Sequence, residues 1–234
     1  MDRPLPLVEH LTELRRRILI SIIFIISASF FLSFFSSNLL GILKIPASVY
    51  IDKLAYFSPE DAFSIYFYIS IIGGFVVSFP VIIYQVWKFI LPALDQKYKK
   101  FTIFFIFICS FNFILGVLFA YFLFLPNALR FLLNIGRNNL VAIISATKYI
   151  RFVTYIMLVF GFIFELPVLI FLLTKFGIID VKILQKKFKY AFVLIFIISA
   201  ILTPTTDIFN MLILSLPLLA IYQISIWIAY FAKK

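Results

Sequence analysis

Six runs of apolar residues, parted by short polar or charged segments, set the pattern of this chain. They are Ile18–Phe35, Ala62–Trp87, Phe101–Leu125, Phe152–Thr174, Tyr190–Leu202 and Ile208–Phe231. Four are long enough to cross a bilayer as helices, tilted where the run exceeds what is needed. The fifth has only 13 residues, about 20 Å of helix against a hydrocarbon core of about 30 Å. The sixth carries Pro217 in its middle, and only the turn Thr203–Asp207 separates it from the fifth. The pattern predicts a short hairpin through a locally thinned bilayer there.

Between the first and second runs, and between the third and fourth, lie the long segments Ser36–Asp61 and Pro126–Arg151. Within them Val49–Phe57 and Leu129–Ile135 are apolar enough to predict short surface helices. Ser58-Pro59-Glu60 reads as a helix start, with Ser at the cap and Pro in the first turn. The second run then carries Ser64, Ser70, Gly73, Gly74 and Ser78, small residues that let helices approach closely. Pro92 ends the helix that follows. No fixed-period repeat or low-complexity linker divides the chain, so a single polytopic domain over residues 1–234 is expected.

Composition turns these runs into membrane spans. Of 234 residues 64% are hydrophobic and 13% charged, with a mean hydropathy of +1.14, more apolar surface than a soluble domain buries. The fold class is therefore an all-α membrane protein with six transmembrane helices, the fifth and sixth short. The first run follows a basic start, as in a signal peptide, but exceeds a typical h-region and reads as a retained span. The net charge of +11 does not point to nucleic acid, because the basic residues cluster between apolar runs without an aromatic-basic stripe. Fifteen of the 21 Lys and Arg fall on one set of alternate connecting segments, which places both termini in the cytoplasm.

Candidate chemistry is sparse. Glu165, in FIFELP (Phe162–Pro167), is the one charge in the fourth run, roughly 20 Å from one end and about 14 Å from the other. A carboxylate at that depth costs on the order of 3 kcal/mol even on the gentler insertion scale, and Pro167 predicts a kink beside it. Its alternatives are a protonated acid bonded to a neighbouring helix and a polar site for something entering the membrane. In the tail PLVEHLTELRRR, Leu7, Leu11, Leu14 and Ile18 form an apolar stripe, and Glu13 precedes Arg17 by four, a favourable pair. The tail reads either as an interfacial anchor at anionic lipids or as a platform presenting Glu13 to a basic partner. Trp87 and Tyr84 suit the interface. Asp207 falls in the turn of the short hairpin, and Gln223 is a polar residue inside the sixth run. The lone His10 has no second His or Cys at ligand spacing and reads as a surface or interfacial residue, and the lone Cys109 has no intrachain disulfide partner. No phosphate loop, HExxH or GxSxG occurs, which speaks against an enzyme, and no cofactor is expected.

Several strings resemble the TatC family, the polytopic subunit of the twin-arginine protein translocase. They are HLTELRRR, FPVIIYQVWKFILPAL (Phe79–Leu94), GVLFAYFLFLPNALRFLL (Gly116–Leu133), FELPVLIFLLTKFGIID (Phe164–Asp180), and TPTTDIF followed by SLPLLAIYQIS. The resemblance runs from about Leu5 to Ile228. It implies a cup-shaped six-helix scaffold in the cytoplasmic membrane, or an organellar one. Such a scaffold recognises twin-arginine signal peptides and moves folded proteins by the protonmotive force. It also implies the single-span partners TatA and TatB, surrounding membrane lipids and a complex of several copies. By position, Glu13 is the signal-recognition carboxylate with Arg15 and Arg17 in its motif, Glu165 the intramembrane acid and Asp207 the acid of the outer hairpin.

Three departures stand out. Tyr98 occupies the position where the family usually has a second signal-binding Glu, and Asp95 is available to substitute one helical turn earlier. The TPTTD turn is one residue longer than usual and has Met211 where Gln is frequent. Gln223 stands where Glu is common. The rival from another class is a proton-coupled small-solute transporter with Glu165 as coupling site, against which no inverted repeat is visible.

Overall fold

A computed structural model describes residues 7–48, 54–91, 102–135, 143–202 and 208–232. Among these residues the regular structure is helical, with a single isolated bridge between Ala55 and Ser145. The helices are α1 (Leu7–Ser33), α2 (Ser36–Lys44), α3 (Pro59–Ile90), α4 (Thr102–Phe119), α5 (Leu125–Ile135), α6 (Ala146–Ile163), α7 (Leu166–Lys175), α8 (Val181–Lys186), α9 (Phe188–Leu202) and α10 (Ile208–Ala232). Among the described residues five helical stretches are long and apolar enough to cross a membrane, and α9 is a shorter apolar helix. Backbone contacts divide the chain into two compact units, one of residues 1–45, 55–111 and 145–154, the other of 46–54, 112–144 and 155–234.

In the first unit α1 lies along α3. Gly74 makes this approach close: a Cβ there would meet the Ser29 nitrogen at 2.6 Å and its Cα at 2.8 Å, so no larger residue fits without separating the helices. Little of α1 is otherwise covered. Only 6% of its most apolar stretch is buried, against 33% for α3, and Phe30, Phe31 and Phe34 are exposed. Such a surface is stable only with acyl chains or another apolar protein surface against it.

The start of α3 follows the helix-start reading, with Ser58 at the cap and Pro59 in the first turn. The sequence reading missed Asp61, whose Oδ2 reaches back to accept from the Phe57 and Ser58 N–H groups at 3.0 and 3.1 Å. Its Oδ1 accepts from the Thr147 hydroxyl at 3.0 Å, joining the start of α3 to the start of α6. The S-x-x-D spacing was the available signal. Tyr149, at the same end, donates to the Leu43 carbonyl at 2.9 Å. At its other end α3 stops at Ile90, before Pro92.

Two expectations are corrected here. The helix of the first long connection is α2, and not Val49–Phe57: residues 54–57 are non-helical, and 49–53 lie outside the described residues. Ala55 is held in extended pairing by the bond from the Ala146 N–H to its carbonyl at 2.8 Å, which a helix would forbid. Trp87, expected at the interface, is buried. Its ring stacks on Phe105 at 4.0 Å between centroids, and its Nε1 donates to the Thr102 hydroxyl at 3.0 Å. A bonded indole N–H removes the main cost of burying Trp.

In the second unit the third run does not end where expected. The chain stays helical through a π-helical turn, Ala120–Phe124, into α5. Pro126 explains the widened turn, since its ring crowds the carbonyl four residues back and offers it no donor. The Asn127 side chain bonds the neighbouring Leu123 carbonyl at 2.7 Å. The short helix expected at Leu129–Ile135 is therefore the end of α5. The late part of α4 packs on α6 at Gly116, where a Cβ would lie 2.9 Å from the carbonyl carbon of Phe160.

The α7 helix ends in a Schellman cap. Gly177 has φ 73, its N–H bonds the Thr174 carbonyl at 3.0 Å, and the Ile178 N–H bonds the Leu173 carbonyl at 2.9 Å. Only glycine takes that φ without strain. Beyond it α10 packs against α7 and α8 around Ile170, Val181, Ile226 and Ala229, and also lies against α9. The fifth apolar helix is short, as expected, at 15 residues. The sixth is not: α10 runs 25 residues unbroken through Pro217, about 37 Å at 1.5 Å per residue. The turn 203–207 lies outside the described residues.

Candidate functional site

Two carboxylates singled out in the sequence fall within the described residues, one in each unit. Glu13 lies in the N-terminal stretch of α1. Its pairing with Arg17 is present: Arg17 Nε donates to Glu13 Oε1 at 3.2 Å, and Nη2 donates to the same oxygen. The spacing dictates this, because residues four apart lie over one another on a helix face. What the sequence reading missed is the third member. Arg17 Nη1 donates to Oε1 of Gln85 on α3 at 3.2 Å, and Gln85 is buried. The one signal was an amide inside the apolar YQVW stretch. Both charged side chains are largely covered, Arg17 at 15% and Glu13 at 24% exposure, so the pair is better shielded from water than a surface ion pair. Arg15 is exposed on the same helix and takes no part in these bonds. Asp95, Tyr98 and Asp207 lie outside the described residues.

Glu165 stands at a break between α6 and α7. Residues 164 and 165 form a turn in which the Glu165 N–H bonds the Phe162 carbonyl at 3.1 Å, three residues back. The expected kink is thus a stop and restart. Glu165 takes the N-cap position of α7 without a side-chain capping bond, and Pro167 sits in its first turn, where the missing N–H costs nothing. A carboxylate at a helix start also meets the positive end of the helix dipole. Its side chain is half-buried. Beside the break is a groove of about 390 Å³, lined among others by Phe162, Ile163, Leu166, Leu194 and Tyr222. These walls are apolar, apart from the Tyr222 hydroxyl, which bonds the Leu184 carbonyl at 3.3 Å. Gln223 is exposed on α10. Among the described residues no cluster of His, Cys, Asp or Glu could hold a metal ion.

Several apolar helices of spanning length, with one carboxylate tethered at a helix start and one at a mid-run break, define a polytopic α-helical membrane protein. The family model for the Sec-independent protein translocase protein TatC matches residues 9–217. The chain belongs to this family, whose members are protein translocase components and not enzymes. It is 37% identical over 232 residues to TatC of Carboxydothermus hydrogenoformans, covering 99% of this chain and 96% of that protein. To TatC of Aquifex aeolicus it is 39% identical over 234 residues, covering 98% and 97%. A crystal structure of the twin-arginine translocase receptor TatC is similar with a TM-score of 0.84 at 38% identity, over 96% of this chain and 100% of that one.

Proposed function

We propose that this protein is the receptor and core subunit of a twin-arginine translocase, acting as one polytopic domain in the cytoplasmic membrane with both termini inside. It binds the twin-arginine signal peptide of a folded cargo protein at the Glu13 end of α1. With the single-span subunits TatA and TatB, in a complex of several copies, it passes that cargo across the bilayer using the protonmotive force. The observation that carries this reading is the similarity, over 96% of the chain, to a twin-arginine translocase receptor.

The chemistry at Glu13 supports it. A guanidinium matches a carboxylate in shape and charge and binds it more strongly than a neutral donor does. Arg15 and Arg17 belong to the same motif, and Asp95 supplies a second acid in place of the usual Glu at Tyr98. Glu165 offers a polar group to a segment entering from lipid, Asp207 is the acid of the outer hairpin, and the longer TPTTD turn with Met211 and Gln223 bears on how the single-span subunits dock.

The test is binding of a fluorescent twin-arginine signal peptide to the purified protein. Glu13→Gln is expected to weaken it about tenfold, the scale of a charge-assisted hydrogen bond, and lysines in place of the peptide's arginines are expected to weaken it likewise. Equal affinity of Glu13→Gln and wild type would remove the receptor role.

A further inference from the structure

The carboxylate assigned to an incoming guanidinium already holds one. Both bonds from Arg17 end on Oε1 of Glu13, and among the described residues nothing bonds its Oε2. Arginine–carboxylate pairs frequently close fork to fork instead, with two donors of one guanidinium edge on the two oxygens. Such closure would engage both oxygens of Glu13, so that a second guanidinium could reach only an oxygen already shared with Arg17.

The feature that sets this guanidinium apart is its third bond. Arg17 Nη1 donates at 3.2 Å to Gln85, 68 residues away in sequence, whose side chain is buried on α3. The contact between α1 and α3 fixes where that acceptor stands. A guanidinium is planar and rigid, so fixing one of its nitrogens on α3 fixes the direction in which the other two approach Glu13.

We propose that Gln85 is the positioning residue of the recognition site. By anchoring Arg17 to α3 it keeps that guanidinium on one oxygen of Glu13 and leaves the other oxygen for an arginine of the bound peptide. Arg17 then orients the recognition carboxylate without occupying it. This inference rests on the reading of Glu13 as that carboxylate.

The experiment measures affinity of a fluorescent arginine-pair peptide for the full chain in detergent, with melting temperature recorded for each variant. Gln85→Leu frees Arg17 to close on both oxygens and is expected to weaken binding about tenfold. Adding Arg17→Gln in that background removes the closing group and is expected to bring affinity back to within about threefold of Arg17→Gln alone. A residue that merely supported the fold would show no such rescue. Gln85→Glu keeps an acceptor for Arg17 and is expected to bind at least as well as wild type; it carries the test should Gln85→Leu not fold. Wild-type affinity of Gln85→Leu alongside loss in Glu13→Gln, a double variant as weak as Gln85→Leu, or weakened binding by Gln85→Glu would each overturn the positioning role alone. Wild-type affinity in Glu13→Gln would overturn the receptor reading beneath it as well.

Discussion

Two tripeptides in the second unit differ by one residue and end in opposite structures. Glu165-Leu166-Pro167 stops one helix and starts another, while Ser215-Leu216-Pro217 lies inside an unbroken helix of 25 residues. In both the proline withholds an N–H from the carbonyl four residues back. At Ser215 the hydroxyl stays within the helix, bonding the Leu212 carbonyl at 3.1 Å from a fully buried site. It gains nothing from a helix end. At Glu165 a carboxylate gains from one, because a helix start supplies the positive end of a dipole where bulk water is absent. Proline makes a break cheap in each place, and the residue two positions before it is what differs.

Swapping the deciding residues tests this most severely. Ser215→Glu puts a carboxylate at a site with no free volume and is expected to cost about 3 kcal/mol or more. Size-exclusion chromatography in detergent should show most of the protein lost from the monodisperse peak; a well-folded variant would mean that an ELP tripeptide is tolerated without a break. Gly161→Leu acts on the wall of the same break, one turn before Glu165. A Cβ there would stand 2.6 Å from Cε2 of Phe113, so overpacking is expected to cost about 2 kcal/mol, read as a lower melting temperature. Unchanged melting would show that α6 can move off Phe113 freely.

The reverse swap, Glu165→Ser, should leave the protein folded and let the ladder re-form around Pro167. Hydrogen exchange of the amides at 164–169 is expected to slow about tenfold, with export of a twin-arginine reporter reduced. Exchange as fast as in wild type would free the acid of responsibility for the break. The smallest effect is expected from Pro217→Ala, which returns a donor to a helix that is already continuous and should stabilise by no more than about 1 kcal/mol. For a chain of this size that is roughly 2–4 °C in Tm. A larger gain would reveal strain that Pro217 imposes on α10.

Much of this is legible in the amino-acid sequence. The apolar runs, the Ser58-Pro59 helix start, the end of α3 before Pro92, the short fifth helix and the Glu13–Arg17 pair all follow from spacing along the chain. The misreadings have one cause. Pro126, Pro167 and Pro217 look alike in sequence, yet they stand beside a widened turn, at a break and inside an uninterrupted helix, because a proline only withholds a donor and its surroundings set the outcome. Trp87 was likewise taken for an interface residue until Phe105 and Thr102 covered it.

By itself the amino-acid order determined that this protein lives in a membrane and where its long apolar helices run. Those properties depend on apolar length and on residues within one helical turn, against a solvent of known thickness. Only the tertiary structure decided that Arg17 is shared between Glu13 and Gln85, and that a mid-run acid begins a helix beside an apolar groove. Hydrogen-bond partners 68 residues apart are chosen by which helix faces meet, and no local periodicity encodes that meeting.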